Sequence, residues 1–516
     1  MEITGEWSRP EDVEADILVV GIMARAEKGE KGKEPGPARP YLDPDAAKLD
    51  KTMGGLMTDV FAHGDLKPDN GHTLLLYTHG KAKARRLVLV GLGKERTLES
   101  ARTAAAAAAK AADAMGAKRL AFLVFPFNDP AGVAQAMVEG AILATHKLTA
   151  FKGALDKKEE RNGRLSGHLS HITITTSDRR KQKAVKDGAA KGAIIAQCQC
   201  DARDLANTPG ASLTPIKFAD WALKVSKELG PKVTCTVLDE KALVKEGMSG
   251  TLEVGKGSIN PPRFVIMDYK GGKKGDAPLV LVGKGITFDT GGISLKTNQL
   301  MMTMKYDMSG AAIVMNALRA IARMGLPLNV VALAPLAENM PSDRALKVED
   351  IITYANGVTV EIVSTDAEGR LILADALLYA SKFKPKGVVD VATLTGSTKV
   401  AVGRFAGCVL GNDKKMVGAC LKAGNTTHER FWELPLWADF KDQMKSELAD
   451  MKNGGGPDGG TVTAAIFLER FVDYPWAHLD IANVGWTDNA RTYLPQGPSA
   501  WSMRLLVQMV RDITKK

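Results

Sequence analysis

The chain has 516 residues, a length that allows two or more domains, each with its own hydrophobic core. Hydrophobic residues make up 45% and charged residues 25%, as in an ordinary soluble globular protein, and the chain contains no run of eighteen apolar residues, so no membrane span is predicted. The net charge of +10 permits an acidic partner. Sparse aromatic residues, at 6%, with abundant glycine and alanine favour helices packed on a sheet over an all-β sandwich.

The cysteines and the start of the chain bear on the compartment. Five cysteines, at spacings unlike those of a zinc knuckle, indicate free thiols in a reducing environment. The first sixteen residues are acidic and lack the apolar segment of a secretory signal. The protein is therefore predicted to be cytoplasmic.

Short apolar runs alternate with helical segments in the first third of the chain. The predicted strands are 16–23, 73–78, 86–93, 119–125 and 171–176, and the predicted helices are 99–116 and 131–150. Alternating strands and helices form mostly parallel sheets with helices on their faces. The segment 24–40, which is charged and rich in glycine and proline, is predicted to be a mobile surface loop.

A long helix over 179–206 is predicted to connect two domains, because the sequence Asn-Thr-Pro at 207–209 ends it. The residues beyond it repeat the α/β pattern, with strands at 263–269, 278–285, 329–337, 358–363, 387–396 and 477–483 and helices at 309–325 and 371–383. We predict an α/β fold of two domains, each a mostly parallel or mixed sheet flanked by helices. The predicted bounds are 1–178 for the N-terminal domain, 179–206 for the connecting helix and 207–516 for the C-terminal domain.

The start of the connecting helix is basic. The segment RRKQKAVKDGAAK, residues 179–191, contains six basic residues and one acidic residue. A solvated helix face is the simpler interpretation, and a patch that binds nucleic acid is the alternative. Because aromatic residues are not interleaved with the basic ones, the pattern favours the solvated face.

The segment STDAEGRL, residues 364–371, places Asp366, Glu368 and Arg370 at alternate positions. On an extended chain these three side chains share one face, whereas on a helix positions two apart point about 200° from each other. The extended conformation would let them converge, with small residues between them leaving room for a ligand. The residues from Thr365 to Glu368 also match a capping box for the following helix. This stretch alone favours the cap.

A second acidic stretch changes that balance. The segment GKGITFDTGGISLK follows a predicted strand and contains Lys284, Asp289 and Lys296, with glycines that keep the backbone thin. Asp307 stands just before the helix predicted at 309–325. Ligands of open α/β sheets gather beyond the carboxyl ends of the strands. Both acidic stretches are predicted to lie at such ends, so their side chains are expected to share one crevice.

The shared crevice would hold four carboxylates, and four carboxylates cannot all ionise side by side without compensating charge. Two divalent cations about 3.5–4 Å apart would supply that charge and would together acidify a water for hydrolysis. Oxygen ligands suit Mg²⁺ or Mn²⁺, and Zn²⁺ also accepts carboxylates. The carboxylates in question are Asp289, Asp307, Asp366 and Glu368.

Other kinds of site fit the sequence less well. No histidine occurs in residues 281–400, which excludes a histidine-based zinc site there. Phe288 replaces the third glycine of a dinucleotide-binding loop, and Leu295 replaces the glycine that must precede the lysine of a P-loop. Neither a GxSxG motif near a strand end nor a cysteine–histidine pair is seen, so a covalent nucleophile is not indicated.

The motifs resemble those of the cytosolic leucyl aminopeptidase family, whose enzymes use two metals. The resemblance rests on VGKGITFDTGGISLK, MKYDMSGAA, TDAEGRL and DVATLTG, with WAHLDIAN further on, and it covers most of the chain after about residue 190. It implies an enzyme that hydrolyses the N-terminal bond of peptides, preferring leucine and similar residues. It also implies two divalent ions per subunit, Zn²⁺ and/or Mn²⁺.

The resemblance implies a role for each metal ligand. Asp289 and Glu368 resemble the carboxylates that bridge the two metals, and Asp366 resembles a ligand of one metal. Lys284 and Asp307 resemble ligands of the other metal. A lysine can ligate only as a neutral amine, so Lys284 would need a strongly lowered pKa, which burial and an adjacent dication can produce.

The resemblance further implies the catalytic and substrate-binding residues. Lys296 would stabilise the oxyanion of the peptide carbonyl, and Arg370 would hold a bicarbonate that acts as the base. The alternative for each of these two residues is an ion pair with a neighbouring acid. The implied pocket for the substrate side chain is formed by Met304, Thr393, Leu394 and Gly396.

Two departures from the family and two expectations about partners complete the prediction. Ser364 stands where family members usually have asparagine, so altered hydrogen bonds but retained metals are expected. The segment 453–461 is unusually rich in glycine, which leaves its geometry open.

The family assembles as hexamers, so a homohexamer is implied. The alternative function is nucleic-acid binding through the basic helix and the first domain, and the two functions need not exclude each other.

Overall fold

The computed structural model describes residues 1–25, 39–153 and 169–515, which form two compact units. One unit comprises residues 1–197 and 489–496, and the other comprises 198–488 and 497–516. The predicted fold class, two α/β domains with mixed sheets flanked by helices, is confirmed. The predicted domain bounds stay a prediction, although the long helix is present and spans Gln182–Asn207. Most of the predicted loop, residues 26–38, lies outside the described residues.

The first unit is built on a seven-stranded sheet. Its strands, in spatial order, are Glu2–Trp7, His171–Thr176, Arg119–Leu123, Ile17–Arg25, Arg86–Gly91 and Thr73–Tyr77, with Arg39–Tyr41 pairing on Ile17–Arg25. All neighbours are parallel except Thr73–Tyr77 and Arg39–Tyr41, which are antiparallel to their partners. The α-helices are Pro44–Thr52, Leu56–Ala62, Leu98–Ala114 and Pro130–Thr145, and short 3₁₀ helices span Pro10–Asp12 and Arg179–Lys181.

The two long helices of this unit pack closely because their contact residues are small. The Thr97 hydroxyl accepts from the Ser100 amide at 3.1 Å, and the Ser100 hydroxyl accepts from the Thr97 amide at 3.0 Å. These two bonds cap the helix Leu98–Ala114. Alanines dominate its buried face. On the second helix, a Cβ added to Gly140 would lie 2.0 Å from the carbonyl oxygen of Arg102. Only glycine therefore fits where the two backbones approach.

The second unit contains a nine-stranded mixed sheet and two small sheets. The large sheet runs in the order Phe431–Glu433, Gly407–Gly411, Trp476–Asp480, Gly387–Ala392, Leu279–Gly283, Asn329–Asn339, Arg263–Lys270 and Val233–Leu238, with Gly285–Asp289 pairing on Asn329–Asn339. The small sheets contain Ile351–Thr353, Thr359–Glu361 and Met451–Lys452, and Trp486–Thr487 with Gly497–Pro498.

Helices surround these sheets. The α-helices of the second unit are Pro215–Glu228, Glu240–Glu246, Ser249–Gly255, Asn298–Met301, Ser309–Arg323, Glu368–Ala380, Ser397–Val402, Lys414–Thr427, Gly460–Glu469 and Met503–Thr514. The 3₁₀ helices are Met304–Tyr306, Ser381–Phe383 and Ala438–Met444. Within the described residues, every helix is too short or too polar to cross a lipid bilayer.

Five central strands of the large sheet are mutually parallel, and their carboxyl ends meet at one edge. These strands end at Gly283, Asp289, Asn339, Ala392 and Asp480. Four of them are buried along their whole length, which explains why they read as continuous apolar runs. This edge is where side chains from distant parts of the chain come together.

One predicted strand lies elsewhere. The run at 358–363 forms the strand Thr359–Glu361, which belongs to the small three-stranded sheet and not to the large one. The expectation that the segment 364–371 follows a strand of the main sheet is therefore wrong. That segment is brought to the carboxyl edge by the small sheet and by hydrogen bonds to neighbouring loops.

Asp375 anchors the helix Glu368–Ala380 to the helix Ser249–Gly255. Its carboxylate accepts from the amide of Thr251 at 2.6 Å and from the hydroxyl of Thr251 at 2.8 Å. The residue is 2% exposed. Burial raises the pKa of Asp375 from 3.8 to about 7, against the lowering effect of the hydrogen bonds from Thr251. Ionised Asp375 therefore makes folding less favourable.

Replacement of Asp375 by asparagine is expected to increase the free energy of unfolding more at pH 8 than at pH 5. Because the folded-state pKa is raised, the stability that Asp375 contributes is full below pH 4 and is lost as the pH rises to 7. The difference in the free energy of unfolding between the variant and the wild type should grow by about 2–3 kcal/mol between pH 5 and pH 7. Urea unfolding at several pH values measures it. The exposed Asp220→Asn change is the control, and a difference independent of pH would contradict the expectation.

Candidate metal centre

The predicted carboxylates converge at the carboxyl edge of the large sheet. One oxygen atom from each of Asp289, Asp366 and Glu368 lies within 4.8 Å of the others. The fourth carboxylate joins them through a lysine: Lys284 Nζ lies 2.8 Å from Asp307 Oδ2 and 2.9 Å from Glu368 Oε1. The four acids, although spread over eighty residues of sequence, thus form one cluster.

Backbone geometry explains how these groups meet. Asp289 is the last residue of a strand, and Lys284 stands between two consecutive strands that both lie in the large sheet. Asp307 caps the C-terminal end of the 3₁₀ helix Met304–Tyr306, immediately before the helix Ser309–Arg323. A Cβ added to Gly310 would lie 2.1 Å from the carbonyl oxygen of Val391. That helix can therefore approach the strand closely and bring Asp307 to Lys284.

The conformation of the segment 364–371 differs from both predicted alternatives. Glu368 and Arg370 lie in the first turn of the helix Glu368–Ala380, so the extended conformation is wrong for them. The capping box is wrong as well, because the N-cap is Ala367 without a side-chain bond and the Thr365 hydroxyl donates to the carbonyl oxygen of Gly291 at 2.6 Å. A tertiary contact has replaced the local cap.

The absence of bulk between Glu368 and Arg370 has a specific cause. A Cβ added to Gly369 would lie 2.5 Å from Cε and 2.7 Å from Nζ of Lys284. A side chain at this position would displace the lysine that links Asp307 to Glu368. Glycine therefore lets the first turn of the helix rest against Lys284 without moving the lysine from its two carboxylate partners.

The two basic side chains predicted to act in catalysis differ in their surroundings. Lys296 Nζ lies 2.8 Å from Asp289 Oδ2 and also contacts Asp366 Oδ1, so the predicted ion-pair alternative is present at this residue. For Arg370, the buried Nε and Nη1 atoms have no hydrogen-bond partner among the residues that the structure describes. Burial lowers the pKa of Arg370 to about 10, which leaves it charged at neutral pH. A buried guanidinium with free donors suits a small anion.

Electrostatics in the cluster favour cations. Burial raises the pKa of Glu368 to about 8 and that of Asp307 to about 6. Burial also acts to lower the pKa of Lys284, but the carboxylates of Asp307, Glu368 and Asp289 outweigh it and shift the pKa upward. The lowered pKa predicted for a metal-ligating Lys284 would need divalent ions to replace its ammonium as the partner of these carboxylates. It stays a prediction.

The residues present fit divalent metal ions. The donors are carboxylate oxygens, which hard cations prefer. Glu368 Oε2 is buried and has no hydrogen-bond partner among the residues that the structure describes. A buried, unpaired carboxylate oxygen is costly unless a cation or donor compensates it. The acids outnumber the bases by four to three when Arg370 is included with the two lysines, so additional positive charge would be accommodated.

The residues predicted to bind the substrate side chain border the cluster. The Thr393 hydroxyl donates to Asp307 Oδ1 at 2.6 Å, and Lys284 Nζ donates to the Thr393 carbonyl oxygen at 3.1 Å. Leu394 and Gly396 follow in the same turn, where Leu394 is half-buried and Gly396 is exposed. Met304 is half-buried and begins the 3₁₀ helix that precedes Asp307. These four residues thus lie on segments adjoining Asp307.

Several residues that support the cluster were not predicted. Asp480, fully buried, accepts from the amide of Leu394 at 3.1 Å and from the hydroxyl of Thr395 at 2.6 Å, which fixes the turn. Asn453, also fully buried, donates to the Ser364 carbonyl oxygen at 2.7 Å and accepts from the Val363 amide at 2.8 Å. Asp480 lies in the motif WAHLDIAN and Asn453 opens the glycine-rich segment, but their partners are far away in sequence.

Known proteins match this chain along most of its length. The model for the cytosol aminopeptidase family, catalytic domain, matches residues 201–507, and the model for the N-terminal domain of that family matches residues 30–154. The probable cytosol aminopeptidase of Geobacter sulfurreducens is 42% identical over 482 residues, which cover 92% of this chain and 94% of the relative. The probable cytosol aminopeptidase of Chlorobaculum tepidum is 41% identical over 512 residues, 97% of each chain.

Solved structures agree with these matches. The bottromycin maturation enzyme BotP has a TM-score of 0.81 and 32% identity, covering 97% of this chain and 100% of that one. Its complex with Mn has a TM-score of 0.80 at the same identity and coverage. The resemblance to the cytosolic leucyl aminopeptidases seen in the motifs is thereby confirmed. The chain belongs to the cytosol aminopeptidase family and is a metal-dependent aminopeptidase, a hydrolase.

Proposed function

We propose that this aminopeptidase removes N-terminal residues from peptides, with a preference for leucine and similar apolar residues, and that two divalent ions per subunit take part. The observation that carries the proposal is the convergence of four carboxylates at one sheet edge, with Glu368 Oε2 buried and unpaired among the residues that the structure describes. Because the acids outnumber the bases and one carboxylate oxygen is unpaired, this set of oxygens suits divalent cations.

The family resemblance implies an assignment of ligands, and the convergence of the carboxylates supports it. Asp289 and Glu368 would bridge the two ions, Asp366 would bind one, and Lys284 and Asp307 would bind the other. Zn²⁺ and/or Mn²⁺ are proposed, with Mg²⁺ also suited to oxygen ligands, and the Mn complex of BotP supports manganese by analogy. When bound, two such ions would supply a water of lowered pKa and polarise the scissile carbonyl.

Lys296 is proposed to stabilise the oxyanion that develops on the peptide carbonyl. Burial acts to lower the pKa of Lys296, but Asp289, Glu368 and Asp366 raise it above its ordinary value. The ammonium therefore stays protonated at neutral pH, which is the form that an oxyanion needs. Its ion pairs with Asp289 and Asp366 also hold it against the acid cluster.

Arg370 is proposed to bind a small oxyanion, bicarbonate, that accepts a proton during hydrolysis. The planar guanidinium can hold such an anion with two parallel hydrogen bonds. Support comes from its buried Nε and Nη1 atoms, which have no hydrogen-bond partner in the described part of the chain. An anion at this place would also compensate a charge that is otherwise buried.

The preference for leucine can be tested with amides of single amino acids. Met304, Thr393, Leu394 and Gly396 are proposed to bind the side chain of the N-terminal residue. Full burial of a leucine side chain contributes about 1.5–3 kcal/mol, so kcat/KM for leucinamide is expected to exceed that for glycinamide by roughly 10- to 150-fold. N-acetyl-leucinamide should not be cleaved, because its amine is blocked.

Variants at two methionines sharpen this test. Met304→Ala should reduce the ratio of leucinamide to glycinamide turnover, whereas the matched change at Met302, which is 65% exposed, should leave the ratio unchanged. Equal kcat/KM values for the two amides in the wild-type enzyme would refute the leucine preference. Loss of turnover for both amides in Met304→Ala would assign that residue to another role.

A homohexamer is proposed from the family resemblance alone, and a cytoplasmic location from the names of the relatives. Light scattering should give six times the mass of the 55.1 kDa chain; any other multiple would refute the hexamer.

The alternative of nucleic-acid binding stays a prediction. The side chains of Lys183, Lys186 and Lys191 are exposed, as the solvated-face interpretation expects.

A further inference from the structure

Asn339 connects the two acid-bearing segments of the candidate metal centre. It is the last residue of the strand Asn329–Asn339 and is 5% exposed. Its side-chain Nδ2 atom donates to Asp289 Oδ1 at 2.9 Å and to the backbone carbonyl oxygen of Thr365 at 3.0 Å. Asp289 lies 50 residues before it and Thr365 lies 26 residues after it, so one side chain joins segments that are remote in sequence.

The backbone of Asn339 strengthens the same connection. Its carbonyl oxygen accepts from the amide of Thr290 at 3.0 Å and from the hydroxyl of Thr290 at 2.8 Å. A Cβ added to Gly292 would lie 2.8 Å from Asn339 Oδ1 and 2.9 Å from Thr365 Oγ1. The turn after Asp289 is therefore packed directly on the amide of Asn339, and the position of that amide is fixed from several sides.

The hydrogen bonds also determine which oxygen of Asp289 faces the cluster. Asp289 Oδ1 accepts from the Gly291 amide at 2.8 Å as well as from Asn339. Asp289 Oδ2 lies 2.8 Å from Lys296 Nζ and is thus the oxygen on the cationic side. With Oδ1 held by two donors the carboxylate cannot rotate freely, because rotation would break both bonds.

We propose that Asn339 is a positioning residue of the metal centre, which orients Asp289 and sets the spacing between Asp289 and Asp366 for a divalent cation. The inference rests on the proposed function, since it assumes that these carboxylates bind metal. Residues that hydrogen-bond to metal ligands typically alter metal affinity by 10- to 100-fold when they are replaced. A change of that size is therefore expected at Asn339.

The test measures Mn²⁺ affinity of the full-length protein after removal of metal with a chelator, by competition with a metal indicator. Asn339→Ala is expected to bind Mn²⁺ about 10- to 100-fold more weakly than wild type. Asn339→Leu keeps the branched shape of the side chain and removes the donor. It should show the same loss of affinity, and it replaces Asn339→Ala in the test if the alanine variant does not fold. Mn²⁺ affinities of either folded variant within threefold of wild type would overturn the inference.

A matched control separates positioning from general stability. Asn329 begins the same strand, is also 5% exposed, and bonds to the amide of Gly272 and the carbonyl oxygens of Lys273 and Asp276. Asn329→Ala should lower the free energy of unfolding but leave Mn²⁺ affinity unchanged. Loss of affinity in this variant equal to that at Asn339 would mean that destabilisation alone weakens binding, which would overturn the inference.

A third variant distinguishes failure of this inference from failure of the proposed function. Asp289→Asn removes a proposed ligand and should bind Mn²⁺ more weakly than Asn339→Ala. If Asp289→Asn keeps wild-type affinity, the proposed metal ligands are wrong and the inference falls with them. If Asp289→Asn loses affinity while both Asn339 variants retain it, the ligands stand and only the positioning role is overturned.

Discussion

Replacement of Glu368 by glutamine is expected to lower kcat/KM for leucinamide by at least about 10³-fold, which corresponds to roughly 4 kcal/mol of transition-state stabilisation. Glu368 is 1% exposed, its Oε1 pairs with Lys284, and its Oε2 has no partner among the described residues. A neutral amide cannot supply the negative charge that two cations would share. Metal analysis after refilling should find fewer than two divalent ions per chain.

In the presence of a chelator the same variant is expected to be more stable than the wild type at high pH. Burial raises the pKa of Glu368 from 4.5 to about 8, so the protonated form is the one that folding favours. Its contribution to stability is full below pH 4.5 and is lost as the pH rises through 8. The advantage of Glu368→Gln should therefore be largest above pH 8 and should vanish below pH 4.5, as measured by urea unfolding.

Glu338 provides the matched control for the metal analysis and for the rate of leucinamide hydrolysis. It is 7% exposed, contacts the hydroxyl of Ser258 and accepts from Asn260 Nδ2 at 2.9 Å, outside the carboxylate cluster. Glu338→Gln should retain both metal ions and the rate of hydrolysis. A Glu368→Gln enzyme that keeps two ions per chain and hydrolyses leucinamide at the wild-type rate would contradict the proposed metal centre.

The sequence predicted the buried strands better than the strands at the edges of the sheets. The runs at 278–285 and 329–337 correspond to Leu279–Gly283 and Asn329–Asn339, because strands buried on both faces are continuously apolar. The edge strands Glu2–Trp7 and Val233–Leu238 were missed. Their residues alternate between polar and apolar or are partly exposed, so no apolar run marks them.

The cluster was predictable because each acid lies in a motif, but the local conformation around it was not. Thr365 matches a cap by local rules, yet its hydroxyl donates to Gly291, which lies 74 residues earlier in the chain. The close approach of Gly369 to Lys284 depends on the position of that lysine, and no spacing in the sequence reveals the contact. Tertiary contacts therefore decided the local structure here.

Supporting residues were the hardest to predict from the sequence. Asn339 and Asn453 are uncharged amides without a motif of their own, and each acts through bonds to atoms far away in sequence. Asn339 bonds to the Asp289 carboxylate and the Thr365 carbonyl oxygen, and Asn453 bonds to the Ser364 carbonyl oxygen. Asp480 lies in the motif WAHLDIAN, but a carboxylate that holds a turn looks the same in sequence as one that binds a metal. The partners of these residues become visible only in the folded structure.

Replacement of Lys296 by methionine is expected to lower kcat for leucinamide by about 10²–10³-fold while both metal ions are retained. The reason is that an oxyanion would lose a fixed ammonium in a site where Lys296 has only 12% of its side chain exposed. Metal affinity should rise, since the ammonium pairs with Asp289 and Asp366 and competes with cations for these carboxylates. Single-turnover kinetics and metal titration measure the two effects.

The opposite directions of these two effects separate catalysis from metal binding. A residue that only held the acid cluster together would, on replacement, weaken metal binding and lower the rate in parallel. Lys296→Met should instead give slow hydrolysis by a fully metallated enzyme, and the exposed Lys422→Met change should alter neither quantity. If Lys296→Met hydrolyses leucinamide within threefold of the wild-type rate, the ion pairs of Lys296 are its whole role, and the oxyanion must be stabilised by other groups.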